Sequence, residues 1–236
     1  MKNTVCALLS LLVYTGVFGQ SCDDNFYRME KGSTFHLTNY DKKDKVTGKQ
    51  ENVVMKVNES GDGLTATIHT KVFDKKDKLL TDGEFEVVCE GDRIKIDMDQ
   101  MLQSMEQLKS MEGMETEIES DFITLPSDME IGQELPDSKT TITVKMGGGN
   151  SNMMSNDVFI KNRKVAAQEE VTTPAGTFEC YKITFETEVN MKVMGMNRTQ
   201  TFSGANWFAR NVGMVKTENY DDKGNLQSYT LLTALK

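Results

Sequence analysis

Apolar and polar residues alternate one by one along most of this chain. Val53, Met55 and Val57 alternate with Val54, Lys56 and Asn58, and Leu64, Ala66, Ile68 and Val72 alternate with Thr65, Thr67, His69 and Lys71. Later, Tyr181, Ile183, Phe185, Val189, Met191 and Val193 alternate with Lys182, Thr184, Glu186, Glu188, Asn190 and Lys192. A period of two gives each strand one dry face and one wet face, as in antiparallel sheets covered on a single side. A short phrase also recurs. Tyr40-Asp41-Lys42-Lys43-Asp44-Lys45-Val46 returns as Phe73-Asp74-Lys75-Lys76-Asp77-Lys78-Leu79 and, more loosely, as Tyr220-Asp221-Asp222-Lys223-Gly224-Asn225-Leu226. An aromatic, a charged turn and an aliphatic predict a hairpin. Asp and Gly tolerate the turn backbone, and the flanking apolar residues meet across the strands. The interleaved lysines oppose a bound cation, so a metal-loop reading is disfavoured.

Two segments break the alternation. From Asp97 to Gly113, Met98, Met101, Leu102, Met105, Leu108 and Met111 recur at steps of three and four. That stripe predicts an amphipathic helix, capped by Asp97 or Asp99 and ended by Gly113. A lone helix of this kind lays its apolar stripe on the open face of a sheet. Lys145 to Asn156 reads KMGGGNSNMMSN, which predicts a mobile loop. It lacks the Lys-Ser/Thr ending of a phosphate-cradling loop.

The N-terminal pattern fixes the compartment. Lys2 precedes an apolar run from Val5 to Phe18, and the chain turns polar at Gln20. This reads as a signal peptide over residues 1–19, too short for a membrane span. Residues 20–236 then form a single β-rich domain, because no Pro/Ser-rich linker divides them. No second long apolar run exists, so no transmembrane span is expected in the mature chain. The localisation expected is periplasmic or extracellular. The formal charge is −9 over 236 residues, and loss of Lys2 makes the mature chain more acidic. Such a surface repels phosphate backbones and anionic headgroups, which argues against nucleic-acid binding and electrostatic membrane attachment.

Cys22, Cys89 and Cys180 remain after the leader is removed. Cys89 follows Phe85 and Val87 on one apolar face and Cys180 follows Phe178 on another, so a Cys89–Cys180 disulfide is one reading. Two buried free thiols are the alternative. Cys22 pairs with either cysteine or carries a lipid anchor, although Gly19, Gln20 and Ser21 are a poor lipidation context.

No catalytic signature emerges. The two histidines, His36 and His69, fall at polar positions, and no metal-ligand spacing is present, so neither a metal nor another cofactor is expected. Glu84/Glu86 and Glu186/Glu188 each place two carboxylates about 6.5–7 Å apart on one strand face, near the separation used by inverting glycosidases. A wet face offers no burial to raise one of those pKa values. The 16 methionines are the compositional oddity. Methionine fills cores, and it also serves adaptable apolar binding surfaces or, as a thioether, soft copper.

Val171-Thr172-Thr173-Pro174-Ala175-Gly176-Thr177-Phe178-Glu179-Cys180-Tyr181-Lys182-Ile183 and Trp207-Phe208-Ala209-Arg210-Asn211-Val212-Gly213-Met214-Val215-Lys216 resemble the TapB-like exported proteins of Gram-negative bacteria, which carry a domain of unknown function. The opening Cys22-Asp23-Asp24-Asn25-Phe26-Tyr27 with Lys31-Gly32 resembles theirs too. The group is similar in outline to periplasmic lipoprotein carriers, which implies a curved sheet wrapped on a helix around an apolar cavity. The expected fold is therefore mainly β: a curved antiparallel sheet or half-open barrel, with one principal helix at 97–113 on its concave face. The expected function is non-enzymatic: an exported envelope protein holding a lipid or other apolar small molecule between sheet and helix. Met98, Met101, Leu102, Met105, Leu108, Ile183, Phe185, Val189 and Met191 would line the pocket. The rival reading is a structural or adhesion-type surface protein with a filled core and no ligand.

Overall fold

The structure, a computed structural model, describes residues 22, 25–60, 63–97, 114–146, 152–193 and 196–236. Among these, the regular elements are strands. The first group is β1 (Thr34–Asp41), β2 (Val46–Ser60), β3 (Gly63–Asp74), β4 (Leu79–Glu90) and β5 (Arg93–Asp97). Two short strands follow, β6 (Met114–Ser120) and β7 (Ile123–Pro126). The last group is β8 (Ser138–Met146), β9 (Asn152–Thr173), β10 (Gly176–Val193), β11 (Met196–Ala209), β12 (Gly213–Tyr220) and β13 (Leu226–Leu235).

All thirteen belong to one antiparallel sheet, ordered β6-β8-β9-β10-β11-β12-β13-β1-β2-β3-β4-β5-β7. Its two edge strands, β6 and β7, are consecutive in the chain and separated by Asp121 and Phe122. A two-residue link spans roughly 10 Å at most, so the sheet bends round until its edges meet. Counting antiparallel pairs around the sheet, β6 and β7 run in the same direction. They act as one run that closes β8 with its first half and β5 with its second. Below β6 the seam is sealed by Arg163 of β9, which is buried. Its guanidinium donates to the carbonyls of Pro136 at 2.7 Å and Thr124 at 3.1 Å.

The core follows from the alternation. Leu64, Cys89, Ile94 and Leu125 stand opposite one another across β3, β4, β5 and β7, and Val54, Ile68 and Phe85 form a parallel row. Directly opposed residues of antiparallel strands share a face, so these rows stack into one inner layer. β2 carries a correction. Val54, 1 % exposed, points inward, whereas Met55 is 49 % exposed. A bulge between Val54 and Lys56 resets the phase and returns Val57 to the core.

The three repeated phrases form three like turns. Asp41, Asp74 and Asp221 each accept backbone N–H bonds two and four residues on, at 2.7–3.0 Å. Asp44, Asp77 and Gly224 adopt positive φ of 60°, 58° and 77°. These turns lie together at one end of the sheet, the turn end. The opposite end is closed by the N-terminal segment. Phe26 and Tyr27 are buried there, packed edge-on against Tyr181 and Phe35.

Two expectations need correcting and a third goes untested. Asp97, one of the two expected caps, is the last residue of β5, and residues 98–113, where the helix was expected, lie outside the described residues. Asn152 to Asn156 belong to β9 and Lys145 to β8, so strand residues flank the expected glycine loop on both sides. The expected Cys89–Cys180 disulfide is absent. Cys89 is bonded to Cys22, with Cα atoms 6.0 Å apart, and Cys180 is a free, buried thiol. The reason is facial: Cys89 lies in the inner core, whereas Cys180 belongs to a second cluster on the outer face.

Candidate functional site

Beyond Ile183, the long strands β8–β11 and the edge strand β6 run toward the turn end and present two contrasting faces. On the inner side, Val189 stands opposite Val158, and Met191 opposite Asn156 and Arg198. Ile142 stands between Asn156 and Ile118, and Val144 between Met154 and Thr116. The outer side carries Glu117, Lys139, Thr141, Lys145, Asp157, Lys161 and Glu188. They are joined by ion pairs such as Lys161–Glu188 at 3.0 Å and Lys139–Asp157 at 3.4 Å. A sheet this polar on one side and apolar on the other has a surface to cover.

The pocket residues expected on β10 separate. Ile183 is 1 % exposed and packed in the central core. Phe185 lays its ring over Gly204, directly across on β11, where an added Cβ would collide with it. Val189 and Met191 are half-buried on the inner face described above. Met98, Met101, Leu102, Met105 and Leu108 lie outside the described residues. The same face buries two polar atoms, Thr116 Oγ1 and Asn156 Oδ1, with no hydrogen-bond partner among the described residues. Val144 is 2 % exposed yet belongs to neither core cluster.

A second feature lies on the outer face. The tip of the β9–β10 hairpin meets β12 and β13, leaving a cleft of about 550 Å³ lined by Glu169, Val171, Trp207, Lys216, Glu218 and Tyr229 among others. Trp207 is buried and its Nε1 donates to Glu169 at 2.6 Å. The ammonium groups of Lys182 and Lys216 sit 4.8 and 4.6 Å from the Trp207 ring centre. Burial pushes the Glu218 carboxyl up, but the hydrogen bonds from Lys216 and Tyr220 outweigh it and hold the group below its ordinary range. Burial, with Glu218 alongside, pushes the Tyr220 hydroxyl up to about 12. Adjacent aromatics in Trp207-Phe208 were the available signal: they point to opposite faces, so both faces of β11 are covered there.

The chemistry of these groups is quiet. The Lys161 and Asn190 hydrogen bonds keep Glu188 below the usual carboxylate range, which is the reverse of what a general acid needs. Burial pushes the Cys180 thiol up to about 12, so it is a poor nucleophile. His69 pairs with Asp82 at 2.6 Å at the surface. Among the described residues, no group of three or more His, Cys, Asp or Glu is placed to hold a metal, and no helix is long and apolar enough to cross a membrane.

Residues 30–232 match the family model described as DUF3108-like. The chain belongs to the DUF3108-like family. No curated protein matches it in sequence. Two solved structures share the fold. One is a candidate lipoprotein from Parabacteroides distasonis ATCC 8503, with TM-score 0.72, 24 % identity, and 90 % of this chain covered against 99 % of that one. The other is a candidate exported protein with a YmcC-like fold from Bacteroides fragilis NCTC 9343, with TM-score 0.70, 22 % identity and the same coverage. The mainly β architecture expected from the alternation is thus shared with both structures, and their descriptions are consistent with export.

Proposed function

We propose that this DUF3108-like protein is a non-enzymatic component of the cell envelope that binds an amphiphilic ligand, such as a lipid, on the inner face of β6 and β8–β11. The narrower likeness to the TapB-like proteins, resting on Val171–Ile183 and Trp207–Lys216, belongs to the same reading. One observation carries it: the apolar inner face around Ile142, Val158, Val189 and Met191, set against an outer face laced with ion pairs. Acyl chains suit the apolar rows. The buried Asn156 and Thr116 oxygens offer polar partners to a glycerol or amide portion.

Native mass spectrometry of protein extracted gently from its own host tests this. The expected result is a population heavier by the mass of a lipid, stripped by organic solvent. A Val189→Asp/Met191→Asp double variant should lose that population while keeping its far-UV circular dichroism, because a carboxylate cannot be buried against an acyl chain without a partner. Protein that is empty from every extraction overturns the reading in favour of a purely structural role.

A further inference from the structure

Cys22 has one sulfur and two candidate fates. As an acyl anchor it would carry a diacylglyceryl group in thioether linkage; in the structure it is bonded to Cys89. The two are mutually exclusive, because Sγ has one valence beyond Cβ. The surroundings favour the second. Cys22 is 7 % exposed and Cys89 2 %, both inside the main core. Two residues separate Cys22 from Asn25, whose carbonyl accepts from Asn211 N–H at 2.7 Å. The Asn25 side chain donates back to the Cys22 carbonyl and accepts from Tyr27 N–H at 2.6 Å. Phe26, fully buried, follows under the Arg210 guanidinium at 4.8 Å.

We propose that Cys22 is a structural cysteine, that its disulfide with Cys89 forms in the envelope after export, and that the protein is consequently not acyl-anchored at this position. The oxidant is a protein disulfide donor. One cysteine thiolate attacks the donor disulfide, giving a mixed disulfide and a donor thiolate. The other cysteine then attacks its partner's sulfur and releases the second donor thiolate. Two thiols lose two protons and two electrons, and the donor disulfide becomes a dithiol. Cys22 lines a cleft of about 400 Å³ together with Asn25, Arg28, Met29 and Leu64 among others.

The precursor with its own leader is expressed in a Gram-negative host and its intact mass measured without reductant. Expected is an unacylated chain two hydrogens lighter than the all-thiol form. Iodoacetamide under denaturing conditions should label one cysteine, Cys180, before reduction and three after it. An acylated Cys22, or labelling of Cys22 and Cys89 before reduction, overturns the proposal. Thermal melts give a second readout. Cys22→Ser and Cys89→Ser should lower Tm by similar amounts and the double variant no further, whereas additive losses show that no bond joins them. Fractionation of Cys22→Ser should match the wild type; a shift from membrane to soluble fraction counts against the proposal.

Discussion

The two ends of the inner face are built from the same alternation and finished differently. At the closed end, rows from β2–β5 and β7 meet Cys22, Phe26 and Tyr27, and Ile68, Val87, Ile94 and Leu125 reach zero exposure. Toward the turn end of β6 and β8–β11, comparable rows other than Val144 stop at half-burial, and the same face holds two polar oxygens without a hydrogen-bond partner among the described residues. The difference lies not in strand chemistry but in what is laid on the strands. Among the described residues, a covalently fixed N-terminal segment completes one end, while the apolar rows at the other stay mostly half-buried.

Substitutions at the two ends should therefore separate stability from binding. The largest loss is expected at the closed end. Phe26→Ala should cost about 3–5 kcal/mol in denaturant melts. Cys89→Ser, opening a cross-link between residues 67 positions apart, should cost about 4 kcal/mol in the chain-entropy picture. Gly204→Ala comes next. The new methyl displaces the Phe185 ring, so about 1–3 kcal/mol should be lost, and Phe185→Leu in the same background should restore part of it. On the half-covered face, Val189→Ala and Met191→Ala should each change stability by no more than about 1 kcal/mol yet weaken ligand retention in native mass spectra. Equal stability losses at both ends would erase the distinction.

The smallest effect is electrostatic and belongs to the turn end. Backbone N–H bonds hold the Asp41, Asp74 and Asp221 carboxyls below their ordinary range. A depressed folded-state pKa gives stability that is present above the unfolded value of about 3.9 and lost as pH falls through the folded value. Asp→Asn at all three turns keeps an acceptor but removes the titration. The variant should show a flatter Tm profile below pH 4 than the wild type, and an unchanged profile would mean the turns do not report acid loss.

How much of this was legible beforehand depends on the range of the interaction. The three Asp turns were readable because every backbone N–H that their carboxylates capture lies within four residues. The β10 alternation was readable because no bulge interrupts its pairing with β11 from Tyr181 to Val193. Val54 was misread because one extra residue in β2 inverts the phase, and alternation alone cannot see a bulge. The cysteine pairing stayed open, with Cys89–Cys180 and Cys22 with either cysteine among the readings, because it turns on which side of the sheet each thiol occupies. Cys180 shares the phase of Lys182 and Thr184, opposite to Tyr181 and Ile183, which is the outer face where it packs. For the candidate site, Val189 and Met191 were placed on the right face by period two, while the rows completing it from β6 and β8 depend on pairing between distant segments.

The pairing of β1 with β13 has a kinetic consequence. The β5–β7 and β6–β8 pairings join segments close in sequence, whereas β1 and β13 come from opposite ends of the chain, so completing the ring requires one pairing that spans most of the sequence. Such high contact order predicts folding on the millisecond-to-second scale. Until the ring shuts, the nascent chain carries two bare strand margins able to recruit other copies of itself, and passage through the envelope before closure is the stage at which a chaperone would matter most.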